Sequence, residues 1–231
     1  MIEIKRLVFN PNHENTYIVS DETGECVIID CGCFNASEQY MLASYIEMRN
    51  LRPKRLIATH CHLDHVCGNG FIVRRYGLKP EAHVDDAYLM GIAHYQALAL
   101  GIDEEGMEMP DIDCHLKHGD RIHFGNTELI VLHTPGHSAG SMSLYCPKEN
   151  KIFTGDTLMR LSMGTYRLPG GDQEQMVHSI LECLFDLPYD VTVFPGHGEV
   201  TTIGYERANN QEVHKPIEKT PTHRRRFGFK K

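Results

Sequence analysis

No stretch of this chain approaches the roughly 18 consecutive apolar residues that a membrane-spanning helix needs. The first ten residues, MIEIKRLVFN, alternate as a strand does and lack the charged-then-apolar order of a secretory signal, so a cytoplasmic protein with no membrane partner is expected. No C-x-x-C pair occurs among Cys26, Cys31, Cys33, Cys61, Cys67, Cys114, Cys146 and Cys183. Such scattered cysteines, without an export signal, read as reduced thiols, several of them small core residues. Cys31-Gly32-Cys33 is the tightest pair and is read as structural rather than redox-active. Internal repeats and low-complexity segments are also missing.

What is present suits an ordinary globular protein. The 231 residues are 41% apolar and 23% charged, enough to enclose a sizeable core in one large domain or two small ones. The formal charge of −8 is uneven. The ending THRRRFGFKK carries Arg224, Arg225, Arg226, Lys230 and Lys231 and no acid, so the rest of the chain is more acidic still. A body of that sign repels polyanions, which argues against a nucleic-acid partner, and the basic end reads as solvated.

The pattern predicts strands over Ile2–Phe9 and Thr16–Ser20, joined by the turn Asn10-Pro11-Asn12, and a buried strand Glu25–Asp30. A helix over Ala36–Asn50 aligns Met41, Tyr45 and Met48 on one face. Pro53 is expected to break the chain before a strand Lys54–Thr59. Helical spacing returns over residues 66–76, ending at Gly77, and over the pair Asp85–Leu100. The acidic stretch Gly101–Pro110 reads as a loop or short lid. Further strands are expected at Arg121–Phe124, Glu128–His133, Ser141–Tyr145, Ile152–Thr154 and Val191–Phe194, with a helix over Gln173–Leu187. Mostly antiparallel strands with helices on the outer faces would give an α/β protein of αββα layering.

Four of these strands end in metal-binding residue types. Behind Lys54–Thr59 come His60, His62, Asp64 and His65 in the order H-x-H-x-D-H. Thr134-Pro135-Gly136-His137, Gly155-Asp156 and Pro195-Gly196-His197-Gly198 follow the other three. One catalytic zinc commonly takes three protein ligands and a water, so five histidines and two carboxylates exceed its needs. They fit two ions sharing an anionic bridge, for which an aspartate with two oxygens is suited. The neighbouring glycines allow the sharp turns that aim these side chains inward. His115, His118 and His123 lack a partner motif, His133 reads as a strand end, and His83 and His94 have no supporting pattern.

THCHLDH, TPGHSAGSMSLY, FTGDTL and FPGHGEVTTIGYER together resemble the metallo-β-lactamase superfamily, and within it the short glyoxalase II-like (hydroxyacylglutathione hydrolase-like) hydrolases. The resemblance covers about residues 1–210, leaving 211–231 as a C-terminal extension with a basic end. It implies a four-layer αββα sandwich, with His60, His62 and His137 on one metal, Asp64, His65 and His197 on a second, and Asp156 bridging. Asp30 matches a family acid expected to orient a ligand histidine. Zinc is the first choice of metal, with iron and manganese as alternatives, since His/Asp ligation does not choose among them.

Two such dications hold a water between them and bring its pKa to near 7, giving a nucleophilic hydroxide. One ion would stabilise the oxyanion, and Asp64 could orient the nucleophile, making Asp64 and Asp156 the catalytic carboxylates. A small-molecule acyl-thioester suits this site because its thiolate leaves without a strong acid. Where relatives commonly read G-R-T-D-x-P-G-G, this chain has Gly164-Thr165-Tyr166-Arg167-Leu168-Pro169-Gly170-Gly171, which makes Tyr166 and Arg167 candidate substrate contacts. The segment after His197 is too short for the helical domain with which longer glyoxalase II enzymes grip glutathione. A thiol carrier would then be held by loops such as 101–112 or by a second subunit of a homo-oligomer. The rival enzymes are a persulfide dioxygenase, with one iron on His60, His137 and Asp156, and a lactonase. An antibiotic-hydrolysing β-lactamase fits less well, because its zinc enzymes are exported and lack the bridging aspartate. An RNA-processing nuclease and a non-catalytic metal-binding protein stand as readings from other classes.

Overall fold

The computed structural model describes residues 1–100 and 107–215. The first half builds β1 (Glu3–Phe9), β2 (Glu14–Ser20), β3 (Glu25–Ile29), α1 (Ala36–Met48) and β4 (Arg52–Ile57). After these come α2 (Leu63–Val66), α3 (Asn69–Tyr76), β5 (Pro80–His83), α4 (Ala87–Gly91), α5 (Ala93–Leu100) and β6 (Cys114–Leu116). The second half adds β7 (Arg121–Phe124), β8 (Thr127–His133), β9 (Met142–Cys146), β10 (Lys151–Gly155) and α6 (Gln173–His178). A π-helical turn, Ser179–Leu184, extends α6 before β11 (Thr192–Pro195), β12 (Thr201–Thr202) and α7 (Ile203–Asn209). Strands β1 to β6 form one sheet in sequence order, and the second sheet runs β12-β11-β10-β9-β8-β7.

Alternation along the strands makes the layers. Tyr17, Val19, Val27, Ile29 and Ile57 of the first sheet meet Leu129, Val131, Leu144 and Phe153 of the second in the central core. The intervening residues Ile18, Cys26, Ile28 and Leu56 turn outward and pack under Leu42 and Ile46 of α1 and Ile72 of α3. On the far side, Ile152 and Val193 face Met176, Ile180, Leu184 and Ile203. Each central strand therefore buries both faces, which is what an αββα sandwich requires.

Several details differ from the sequence expectation. Both sheets are mixed: β3 to β6 run parallel, as do β10 and β11, because the helices between them carry the chain back to the same end. Pro53 lies within β4, where the pairing with β3 shifts register between Cys26 and Val27, a bulge that tolerates the missing N–H. In α1 the buried face is Leu42, Ala43 and Ile46, while Met41 and Met48 are exposed. Both stripes have helical spacing, and the longer side chains occupy the outer one. The short strands β5, β6 and β12 and the helix α7 had no expectation. Strand β5 begins with Pro80 and carries Glu81, whose buried carboxylate pairs with Arg55, so its composition hides its position. The Arg-rich end and part of the acidic loop lie outside the described residues.

All eight cysteines are free, and Cys31 and Cys33 hold their sulfurs 3.5 Å apart in the core. Burial pushes the Cys31 thiol well up, as befits an inert packing residue. No described helix is long and apolar enough to cross a membrane. Truncating Ile28→Ala in the outer layer should cost about 2–5 kcal/mol, read as a lower denaturant midpoint with an unchanged slope.

Candidate metal centre

The strand ends converge at one edge of the sandwich. His60, His62, Asp64 and His65 occupy the β4–α2 connection and α2. His137 lies between β8 and β9, Asp156 directly follows β10, and His197 follows β11. Parallel pairing brings β3 and β4 to the edge together, and likewise β10 and β11, which explains why distant segments meet.

Two groups form. His60 Nε2 lies 3.2 Å and His62 Nδ1 2.8 Å from His137 Nε2. His65 Nε2 lies 3.3 Å and Asp64 Oδ2 3.5 Å from His197 Nε2. Asp156 stands between them, with Oδ2 3.6 Å from both His137 Nε2 and His197 Nε2 and Oδ1 3.7 Å from His65 Nε2. Gly196 makes this approach feasible, since a Cβ there would fall 2.3 Å from Asp156 Oδ1. Gly155, at φ +49°, supplies the left-handed turn before Asp156, where a Cβ would strike the Thr59 hydroxyl at 2.3 Å.

Hydrogen bonds on the outer side of the rings fix their tautomers. His137 Nδ1 donates to the Thr165 carbonyl (2.7 Å) and His197 Nδ1 to the Asn12 carbonyl (3.1 Å). His65 Nδ1 faces the Asp30 carboxylate at 3.2 Å. Thr59 Oγ donates to Asp30 at 2.8 Å, which leaves that hydroxyl to accept from His60 Nδ1 at 3.2 Å. His60 and His137, neutral and with Nδ1 carrying the hydrogen, point bare Nε2 lone pairs inward, while His65 and His197 turn their Nε2 toward the carboxylates of Asp156 and Asp64. Lone pairs this close repel unless a cation lies among them. Asp156 Oδ1 and His62 Nε2 are likewise buried without a hydrogen-bond partner. These features fit metal ions, and the groups His60/His62/His137 and Asp64/His65/His197 could each hold one, with Asp156 in reach of both.

The electrostatics agree. Burial pushes His60 well below its ordinary value, His62 down to about 3, and His137 lower, leaving unprotonated ring nitrogens at neutral pH. For Asp64 and Asp156 burial acts upward, but the surrounding histidine charges outweigh it and hold both carboxyls below the usual range. His65 and His197 move up against burial because Asp64 and Asp156 face them.

Asp30 orients this edge from a left-handed backbone conformation (φ +53°), accepting from the Thr59 N–H at 2.6 Å as well as from its hydroxyl. Asp86 had no place in the sequence reading. Standing at the N-terminus of α4, it resembles an ordinary helix cap, yet its carboxylate makes no capping bond. It accepts instead from the Cys61 N–H (2.9 Å), the Ser138 hydroxyl (2.8 Å) and the Gly140 N–H (2.6 Å). It thereby ties the loop of His60 and His62 to the loop of His137. Tyr166 and Arg167 stack on each other and line a neighbouring cavity of about 320 Å³, whereas Thr165 reaches the histidine edge. His83, Asp85 and His133 form a separate group, but the two rings stack in parallel 4.1 Å apart, so their in-plane lone pairs do not converge on one ion.

Known proteins share this fold and much of this sequence. The metallo-beta-lactamase superfamily model matches residues 9–197. An uncharacterized protein of Aquifex aeolicus (strain VF5) is 34% identical over 90% of this chain and 95% of its own. The hydroxyacylglutathione hydrolase of Brucella ovis is 32% identical over 85% of this chain and 66% of its own. Among solved structures, the BLEG-1 B3 metallo-beta-lactamase superposes with a TM-score of 0.80 at 28% identity, covering 90% of this chain and 98% of that one. TTHA1623 in a di-iron-bound form gives 0.79 at 34%, covering 89% and 98%, and ETHE1 from Myxococcus xanthus gives 0.75 at 25%, covering 91% and 84%. The chain belongs to the metallo-β-lactamase superfamily. Its fold and His/Asp cluster are those of a metal-dependent hydrolase.

Replacing Asp86→Ala should leave three donors without their acceptor and loosen both loops. The expected result is metal affinity about 10–100-fold weaker, measured by competition with a chromophoric chelator.

Proposed function

We propose that this chain is a binuclear metallo-hydrolase of acyl-thioesters, its catalytic domain spanning about residues 1–210. His60, His62 and His137 would hold one divalent ion and Asp64, His65 and His197 a second, joined by Asp156. The observation that carries the two-ion reading is the position of Asp156 Oδ2, 3.6 Å from a ring nitrogen of each group. A single iron on His60, His137 and Asp156 would leave His62, Asp64, His65 and His197 gathered without a use. Zinc is the first choice of metal, and the di-iron form of TTHA1623 makes iron the main competitor.

When bound, paired dications supply a water ionised near neutral pH and an electrophile for a carbonyl. The chain's own groups prepare for this. The outer partners Thr59, Thr165 and Asn12 orient the rings of His60, His137 and His197 so that Nε2 faces the cluster, and Asp30 faces the ring of His65. Asn12 Nδ2 donates to Asp64 Oδ2 at 3.0 Å, which holds that carboxylate at the cluster edge. The net reaction joins a water oxygen to the acyl carbon and breaks the C–S bond, giving a carboxylate, a thiol and a proton. A thiol leaves readily, so no strong general acid is required, and the described cavity over the cluster offers none. The Brucella hydrolase supports the thioester class, while its match over 66% of that protein's length carries no statement about the thiol half.

Elemental analysis of purified protein should give two ions per chain, and chelation should abolish hydrolysis of an acyl-thioester. His60→Ala and Asp156→Asn should each lower kcat/KM by more than the roughly 100-fold ascribed to outer-shell partners. Unchanged hydrolysis in both variants overturns the reading. One iron per chain with oxygen uptake on a persulfide would replace it by the dioxygenase.

A further inference from the structure

A cavity of about 240 Å³ opens directly over the cluster, with His62, Asp64, His137 and Asp156 in its floor. Carbon dominates its walls: Leu89 of α4 and Ile92 just after it, Ala99 of α5, and Met159, Leu168 and Pro169 from the segment after Asp156. Three of the polar side chains around it make hydrogen bonds within the protein. Gln96 accepts from the Leu63 N–H (3.0 Å) through Oε1 and donates to the Leu89 carbonyl (2.9 Å) through Nε2. Asn12 donates to Asp64, and the Thr165 hydroxyl accepts from the Arg167 N–H at 3.3 Å. Among the described residues no lysine or arginine lines this space, whereas Arg167 and Lys215 line the neighbouring cavity that shares Gly164 and Thr165.

We propose that this cavity receives an uncharged, apolar acyl chain of about four to six carbons, making the substrate an alkanoyl thioester rather than a hydroxyacyl or carboxyacyl one. The assignment rests on the thioester-hydrolase reading above and specifies its substrate class. At about 30 Å³ for a water-sized group, the space holds about eight such groups, enough for the chain and the reacting carbonyl. An acyl carboxylate would enter beside Asp64 and Asp156, and among the described residues no side-chain cation lines the space opposite it. An acyl hydroxyl would meet carbon over most of the wall, a loss that apolar surroundings impose on polar groups. Each added methylene, by contrast, removes apolar area from water and should raise transition-state affinity about fourfold while space lasts. The Tyr88 hydroxyl, which donates to the Pro169 carbonyl at 2.8 Å, braces the α4 wall against the opposite one and sets the width of the cavity.

The test uses the metal-loaded protein and thioesters of one small thiol, N-acetylcysteamine, carrying acetyl, butyryl, hexanoyl, lactoyl or succinyl groups. Hexanoyl should exceed both acetyl and lactoyl in kcat/KM by at least about tenfold, with succinyl lowest. Leu168→Arg, at an exposed wall position, should narrow the hexanoyl-to-succinyl ratio by about tenfold or more. In parallel, calorimetry with non-hydrolysable S-alkyl thioethers of the same thiol should show affinity climbing from ethyl to hexyl. A flat series, or a preference for lactoyl or succinyl, overturns the proposal. If no thioester is cleaved, the hydrolase reading fails and the thioether series alone decides: rising affinity supports the apolar subsite, and none removes it.

Discussion

Repulsion among inward-facing lone pairs is the constraint on which the site depends. Three imidazoles, His60, His137 and His197, are held by bonds on their outer nitrogens, to Thr59, Thr165 and Asn12, and the His65 ring faces the Asp30 carboxylate at 3.2 Å. The protein thus builds a cavity edge that is unfavourable by itself. A dication among His60, His62 and His137 would turn the repulsion between their ring nitrogens into attraction. Asp156 works in the same way: its carboxylate is buried, Oδ1 has no hydrogen-bond partner, and Oδ2 is shared between the groups.

Holding such a site calls for struts that do not touch the ions. Two buried carboxylates supply them, each spanning separate segments. Asp30 joins the end of β3 to the residue before His60 and to the His65 ring. Asp86 joins the loop of His60 and His62 to that of His137. A third acid acts further out. Glu206 of α7 accepts from the Leu161 N–H at 2.8 Å, the Thr201 hydroxyl at 2.6 Å and Asn210 at 2.9 Å, fixing the turn that follows Asp156. Every one of these carboxylates reaches groups far away in sequence, so a charge that would cost several kcal/mol if buried alone is hydrogen-bonded at both oxygens instead.

Residue order exposed some of this and concealed the rest for identifiable reasons. H-x-H-x-D-H and the three Gly-flanked residues stand out because ligands from one strand end must be close in sequence, and a sharp turn needs glycine. The layering was legible too, since Tyr17, Val19, Val27 and Ile29 alternate with Ile18, Cys26 and Ile28. Asp86 was hidden because an acid before a helix already has a sufficient local explanation. Strands β5 and β6 were hidden because the three and four residues that form them are held by parallel neighbours far along the chain, not by their own pattern. The face of α1 was ambiguous because Met41 and Leu42 both sit in a helical stripe, and only the sheet beneath selects one.

Chemistry and specificity sit on different parts of the molecule. The cluster hangs on the ends of β4, β8, β10 and β11, inside the core, whereas the walls come from α4, α5 and the segment 159–169 at the surface. The two meet at few points: Gln96 on the Leu63 N–H, Asn12 on Asp64, and Thr165, which braces His137 through its carbonyl and lines the cavity. A change in wall side chains can alter the shape of the cavity without moving a residue of the cluster, provided those three contacts persist. That separation explains why the sequence pointed so much more sharply to a hydrolytic centre than to its substrate. Ligand types are restricted by coordination chemistry, which leaves a spacing to read. A wall of Leu89, Ile92, Met159 and Leu168 is assembled only in three dimensions, and in the chain it is indistinguishable from ordinary core.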